Sequence, residues 1–153
     1  MQLELKIPPP VKGETVAESM VAVALCVGPV LDLPMALRMG GALALAAMGA
    51  CFDLAGIWVF RKAKTTVNPM APQRSAKLVA SGVYRITRNP MYLGLVLILL
   101  GLALYLASPW ALLGPLAFAA YITRFQILPE ERVLSARFGA AYTAYCTQVR
   151  RWL

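Results

Sequence analysis

The sequence predicts an all-α, polytopic membrane helix bundle of about four transmembrane helices, the third and fourth joined as a tight hairpin, plus a C-terminal amphipathic cytosolic helix. Three observations carry this expectation. The chain of 153 residues is 59% hydrophobic and only 14% charged, against roughly 25% charged residues in a soluble domain. Its apolar residues fall into long runs separated by charged clusters. Prolines stand at or near the ends of those runs, where helices commonly stop. The length suits one domain over 1–153, with two N-terminal spans in 1–60 and a loop, hairpin and lid helix in 61–153.

The net charge of +8 would suggest nucleic acid in a soluble chain. Here the placement of Lys and Arg orients membrane spans instead, and no nucleic-acid partner is expected. Histidine is absent, which removes the commonest general base, the usual catalytic zinc ligand sets and haem ligation by histidine. Cys26, Cys51 and Cys146 form no C-x-x-C pair. They read as buried small hydrophobes, so neither a disulfide framework nor a metal site is predicted.

Residues 1 to about 15 are polar, and Pro8–Pro9–Pro10 argue against a helix there. The late apolar run, its preceding acidic residues and the missing small-residue cleavage site argue against a signal peptide. The first span runs from about Val16 to Leu31, short enough to need Glu18 at the interface. Span two, about Ala36 to Phe60, carries Gly40, Gly41, Gly49 and Gly56, small residues that let helices approach closely in a bilayer. Residues 61–90 form a long connection with seven basic and no acidic residues; a short helix around Ser75 to Ala80 is allowed. Span three runs from Met91 to about Ala107. The uncharged Ser108–Pro109 turn then makes span four, Trp110 to about Leu128, its antiparallel partner.

Beyond Pro129, the residues Leu134, Phe138, Tyr142, Tyr145, Val149 and Trp152 recur at helical spacing, with arginines between them. One amphipathic helix lying on the membrane surface or over the bundle's end is predicted. Four spans place both termini beside the 61–90 loop. That loop and the residues from Arg124 onward hold most of the arginine and lysine, against Arg38 alone in the opposite connections. The positive-inside rule makes the loop, both termini and the last helix cytosolic.

Three groups converge at that face. Arg88–Asn89–Pro90–Met91–Tyr92 opens span three, Glu130–Glu131 closes span four, and the hairpin makes these two neighbours. The helix with Tyr142 and Tyr145 follows the glutamates and is placed to roof them. Gly94 removes a side chain one turn into the membrane, where a helix or ligand can approach. Taken singly, each has an ordinary reading: arginine as interface anchor, glutamates complementing a helix dipole, Tyr92 in an aromatic belt. Asp53 is a carboxylate inside span two, a costly placement. Arg124 lies at similar depth on span four. The two are expected either to pair, tying spans two and four, or to line a substrate cavity.

These residues resemble the isoprenylcysteine carboxyl methyltransferase family and the related phospholipid methyltransferases. The family's turn matches Gly82, Tyr84, Arg88, Asn89, Pro90, Tyr92 and Gly94. Its later pattern matches Glu130, Glu131, Leu134, Phe138, Gly139, Tyr142 and Tyr145, ending in Val149–Arg150–Arg151–Trp152. Thr65–Thr66–Val67–Asn68–Pro69 looks like the bacterial members. The resemblance covers about residues 60 to 153. It implies a bacterial inner-membrane methyltransferase that uses S-adenosylmethionine and a lipophilic small molecule or lipid as acceptor.

By the same resemblance, Arg88 and Glu131 would be catalytic. Asn89, Pro90, Tyr92, Leu93, Gly94, Glu130, Glu131, Tyr142 and Tyr145 would surround the cofactor; apart from the resemblance, Asp53 and Arg124 are the candidate substrate residues by their depth in the membrane. Asn89 stands where the eukaryotic enzymes have histidine. A carboxylate acceptor is already ionised at neutral pH, so a chain without histidine can methylate it by positioning and desolvation. An amine or phenol would need a proton removed, by Glu130 or Glu131. Two other readings stand beside this one: a nicotinamide-dependent membrane reductase related to the sterol reductases, and a non-enzymatic membrane protein that keeps the fold.

Overall fold

The computed structural model describes residues 9–27, 31–63 and 78–153. The segment Thr65–Pro69 and most of the basic connection lie outside these residues. Every regular element among those described is helical. Helix α1 spans Pro9–Val27 and α2 spans Met35–Lys62. A 3-10 turn at Gly82–Arg85 leads into α3, Pro90–Leu106. After a second 3-10 turn at Pro109–Leu112 come α4, Leu113–Ile122, a π turn over Thr123–Ile127, and α5, Leu128–Phe138. Helix α6, Ala140–Gln148, is the last.

Among the described residues, two helices are long and apolar enough to cross a membrane: α2, and the continuous run Pro109–Phe138. Helix α3 is apolar but has 17 residues.

Helix α1 begins inside the proline run that was expected to prevent a helix. A proline's missing N–H and fixed φ cost nothing in a first turn, where that N–H would have no helical partner. The allowed helix around Ser75 to Ala80 does not include Leu78–Ala80, which have no regular structure. Cys26 and Cys51 are exposed rather than buried, and only Cys146 is half-buried. In a membrane helix an outward cysteine meets lipid, so apolar sequence context alone does not point it inward.

Helices α2 and α3 pack antiparallel through their glycines. A Cβ on Gly101 would sit 2.9 Å from the carbonyl oxygen of Ala42, and one on Gly49 would be 2.9 Å from a side-chain carbon of Ile98. Such backbone approach is how helices associate in a bilayer. At the far end the α3 terminus is held by α2 and its flank: Arg38 Nε donates to the Tyr105 carbonyl at 2.8 Å and Leu31 N to the Ala107 carbonyl at 2.7 Å. Helix α1 packs on the α3–α4 hairpin, where Met20 joins a core of Tyr92, Leu99, Phe118, Ile122 and Ile127.

The surface helix expected after Pro129 is two helices, and the first continues span four. In an α-helix the ring of Pro129 would clash with the carbonyl of Phe125 and leave it without a donor. The π turn rewinds this stretch, the adjustment by which membrane helices tolerate proline. The break falls instead at Gly139, whose φ of 50° and ψ of −125° is a conformation essentially confined to glycine. The predicted apolar stripe survives the bend: Leu134, Phe138, Tyr142, Tyr145 and Val149 form one cluster, while Trp152 turns into the bundle core.

Candidate functional site

The turn Thr87–Asn89 enters α3 at Pro90, whose place in the first helical turn suits its fixed φ. The C-terminal tail holds that turn. Arg88 N donates to the Arg150 carbonyl at 3.0 Å. Thr87 Oγ1 and Asn89 Nδ2 both donate to the Arg151 carbonyl, at 3.1 and 2.9 Å. The Asn89 side chain is thus a latch between turn and tail.

Two side chains leave α5 in different directions. Glu131 meets two guanidinium groups: Arg151 donates through Nε and Nη2 to its two oxygens at 2.9 and 2.8 Å, and Arg88 Nη2 lies 3.3 Å from Oε1. The Arg151 contact is a two-pronged fork, the stronger kind of charge-assisted bond. Glu130 points into the bundle, where Oε1 accepts from the Tyr92 hydroxyl at 2.6 Å and from Gln126 Nε2 at 2.7 Å. Arg88 also donates to Cys146 Sγ.

An open cleft of about 660 Å³ lies on the Glu131 side, lined by Arg88, Leu128, Glu131, Arg132, Ser135, Ala136, Tyr142 and Cys146. Its size falls within the range of small-molecule sites. It combines a carboxylate, arginines and hydroxyls with apolar walls, a donor set able to hold a zwitterionic, partly apolar cofactor. Burial and then the Glu131 charge push the Tyr142 phenol above its ordinary range, so it stays protonated and can donate. Burial raises the Tyr145 phenol likewise. Tyr145 spends its proton elsewhere, on the Tyr84 carbonyl at 2.7 Å, bracing α6 against the turn before α3.

Of the residues singled out from sequence, Arg88, Glu131 and Tyr142 line the cleft. Tyr92 and Glu130 bond one another on the inner side, and Pro90 and Leu93 are buried beneath. Gly94 turns the opposite way, toward α2, because Asp53 and the Gly49 carbonyl fill the space its side chain would take.

The expected Asp53–Arg124 pairing does not form. Asp53 sits on the α2–α3 seam, its buried Oδ1 without a hydrogen-bond partner among the described residues. Arg124 is exposed on the π turn, its guanidinium carbon 5.5 Å from the Phe125 ring centroid. Helix α2 packs along α3, not along the helix carrying Arg124.

Several residues at the site are not among those the sequence points to, including Ser135, Gln126, Arg151 and Cys146. Gln126 precedes Glu130 by four positions, the spacing that places two side chains on one helical face. Arg151 belongs to a basic C-terminal cluster in which no local pattern marks it as the partner of Glu131. Nothing in the sequence marks Cys146 as a partner of Arg88.

A family model described as phospholipid methyltransferase matches residues 37–141, more than half of the chain. An uncharacterized protein of Haemophilus influenzae is 48% identical over 63 residues, 41% of this chain and 100% of that protein. Protein-S-isoprenylcysteine O-methyltransferase B of Arabidopsis thaliana is 37% identical over 76 residues, 48% of this chain and 37% of the plant protein. The match therefore spans well under half of the plant enzyme's length. No solved structure matches significantly.

Proposed function

The chain belongs to the phospholipid methyltransferase family, and from that membership we propose that it is an integral membrane methyltransferase using S-adenosylmethionine on a lipophilic acceptor, a carboxylate by preference. The observation that carries this reading is the meeting of the Arg88–Tyr92 turn with Glu130 and Glu131 beside an open cleft. When bound, S-adenosylmethionine supplies an electrophilic methyl group on a sulfonium centre.

In this reading Arg88, Glu131, Ser135 and Tyr142 hold the cofactor's polar groups. Tyr92, Leu93, Pro90 and Glu130 form the wall behind them. Gly94 serves that wall indirectly, by letting α3 close on α2, as Tyr145 and Asn89 do by fixing α6 and the tail. An ionised carboxylate acceptor needs orientation and exclusion of water, and no proton has to move. Glu131 is already engaged by two guanidinium groups, which suits it to binding and charge balance rather than to abstracting a proton.

The proposed topology has four membrane-crossing segments: α1, α2, α3 and the Pro109–Phe138 helix. At about 1.5 Å per residue, α3 would cover about 26 Å, close to the roughly 30 Å hydrocarbon core. The basic connection and both ends of the sequence then lie in the cytosol of a bacterial inner membrane. The deciding experiment is equilibrium binding of labelled S-adenosylmethionine to detergent-purified protein. Saturable binding of one molecule per chain is expected. Binding of reduced nicotinamide dinucleotide alone would overturn the reading in favour of a reductase.

A further inference from the structure

Lys12 lies in the first turns of α1, outside the residues matched by the family and outside every motif quoted above. It is only 8% exposed, and its ammonium has no hydrogen-bond partner among the described residues. The nitrogen stands 4.9 Å from the centroid of the Tyr121 ring and within electrostatic reach of Glu130. A Cβ on neighbouring Gly13 would lie 3.8 Å from Leu95 and 4.0 Å from Phe118, residues about one helical turn from Tyr92 and Tyr121 respectively. Helix α1 thus delivers a buried cation to the inner side of the site, behind the carboxylate that Tyr92 and Gln126 hold.

A buried ammonium with three unused donors is strongly unfavourable unless something accepts them. The Tyr121 ring face compensates in part. Glu130 does not complete the set, since its Oε1 is taken by two neutral donors and no bond reaches it from Lys12. Glu130 balances the charge of Lys12 but leaves its donors unmet, and an acceptor without an accepting headgroup would leave them so. An oxyanion would satisfy them. The neighbours Leu95, Phe118 and Tyr121 require that oxyanion to arrive on an apolar body.

We propose that Lys12 is the recognition group for the anionic head, carboxylate or phosphate, of the lipophilic acceptor, seated between α1 and the α3–α4 hairpin. This rests on the methyltransferase reading and narrows its acceptor to an anion.

The test uses the full chain in nonionic detergent, with dodecanoate, dodecyl phosphate and uncharged dodecanol as probes, read by intrinsic tryptophan fluorescence. Wild-type protein is expected to prefer at least one anion over dodecanol by about tenfold, the size of one charge-assisted hydrogen bond. The tighter of the two anions identifies the headgroup. Lys12→Gln should abolish the preference and Lys12→Arg should keep it; Lys12→Met is the second neutral variant should Lys12→Gln not fold. No preference in wild type, or an unchanged preference in both neutral variants, overturns the proposal. S-adenosylmethionine binding is measured in parallel. Its failure with the anion preference intact would sink the methyltransferase reading and leave the anion site standing.

Discussion

Glu130 and Glu131 are adjacent in sequence and live in different surroundings. Glu131 is bracketed by Arg88 and Arg151 at the rim of an open cleft, while Glu130 accepts from Tyr92 and Gln126 inside the bundle. Neighbouring helical positions are about 100° apart, enough to put one on a charged surface and the other in the core. The difference teaches that the Glu-Glu pair is not a doubled acid. One carboxylate ties the tail, turn and α5 together through charge, and the other collects uncharged hydrogen-bond donors beside a buried cation.

Substitutions on each side can break this contrast. The largest effect is expected for Glu131→Gln, which leaves two guanidinium groups facing one another. A loss of about 2–3 kcal/mol in stability and a large drop in cofactor affinity should appear together in thermal unfolding and binding titrations in detergent. Wild-type affinity in this variant would remove Glu131 from the site. Next comes Tyr92→Phe, which takes one donor from Glu130 and should cost about 1.5–3 kcal/mol. Its effect on cofactor affinity should be smaller than that of Glu131→Gln, and the reverse order would undo the division of roles.

Gly94→Ala pushes a methyl group into Asp53 and should destabilise by about 1–3 kcal/mol. The double variant Gly94→Ala/Asp53→Ala should recover part of that loss; a strictly additive outcome would show that the two do not share this space. The smallest effect is expected for Tyr145→Phe, about 1 kcal/mol for the bond to the Tyr84 carbonyl, with cofactor affinity nearly unchanged. A cofactor defect as large as that of Glu131→Gln would instead place Tyr145 in the cleft.

Much of this arrangement was legible from residues alone. The uncharged Ser108–Pro109 turn forced α3 and α4 into a hairpin, and that alone brings Arg88 and Tyr92 close to the glutamates. The apolar spacing from Leu134 to Val149 identified a real packing stripe. Depth, however, gives no azimuth. Asp53 and Arg124 were matched by their distance from the membrane surface, yet the glycines of α2 and α3 turn Asp53 toward Gly94 instead. Pro129 predicts the start of a new helix because a proline normally ends an α-helical ladder, whereas the π turn carries the chain through it. Gly139 was hidden inside a stripe whose spacing continues across the bend. Lys12 left no signal, since nothing local distinguishes a lysine at a solvated helix start from one folded under its neighbours.

The π turn at Thr123–Ile127 holds one more residue per turn than the α-helix on either side. Were the same residues wound as a regular α-helix, everything beyond Ile127 would swing by about 100°, the angle that separates the two glutamates. The carboxylate now facing Arg88 would rotate off the cleft and the pair would lose their places. The widened turn is therefore an angular offset built into the chain. The number of residues between Ile122 and Glu130 decides which carboxylate meets the arginines, so an insertion or deletion there would re-aim the pair, as would a replacement of Pro129 that let the stretch wind as a regular α-helix.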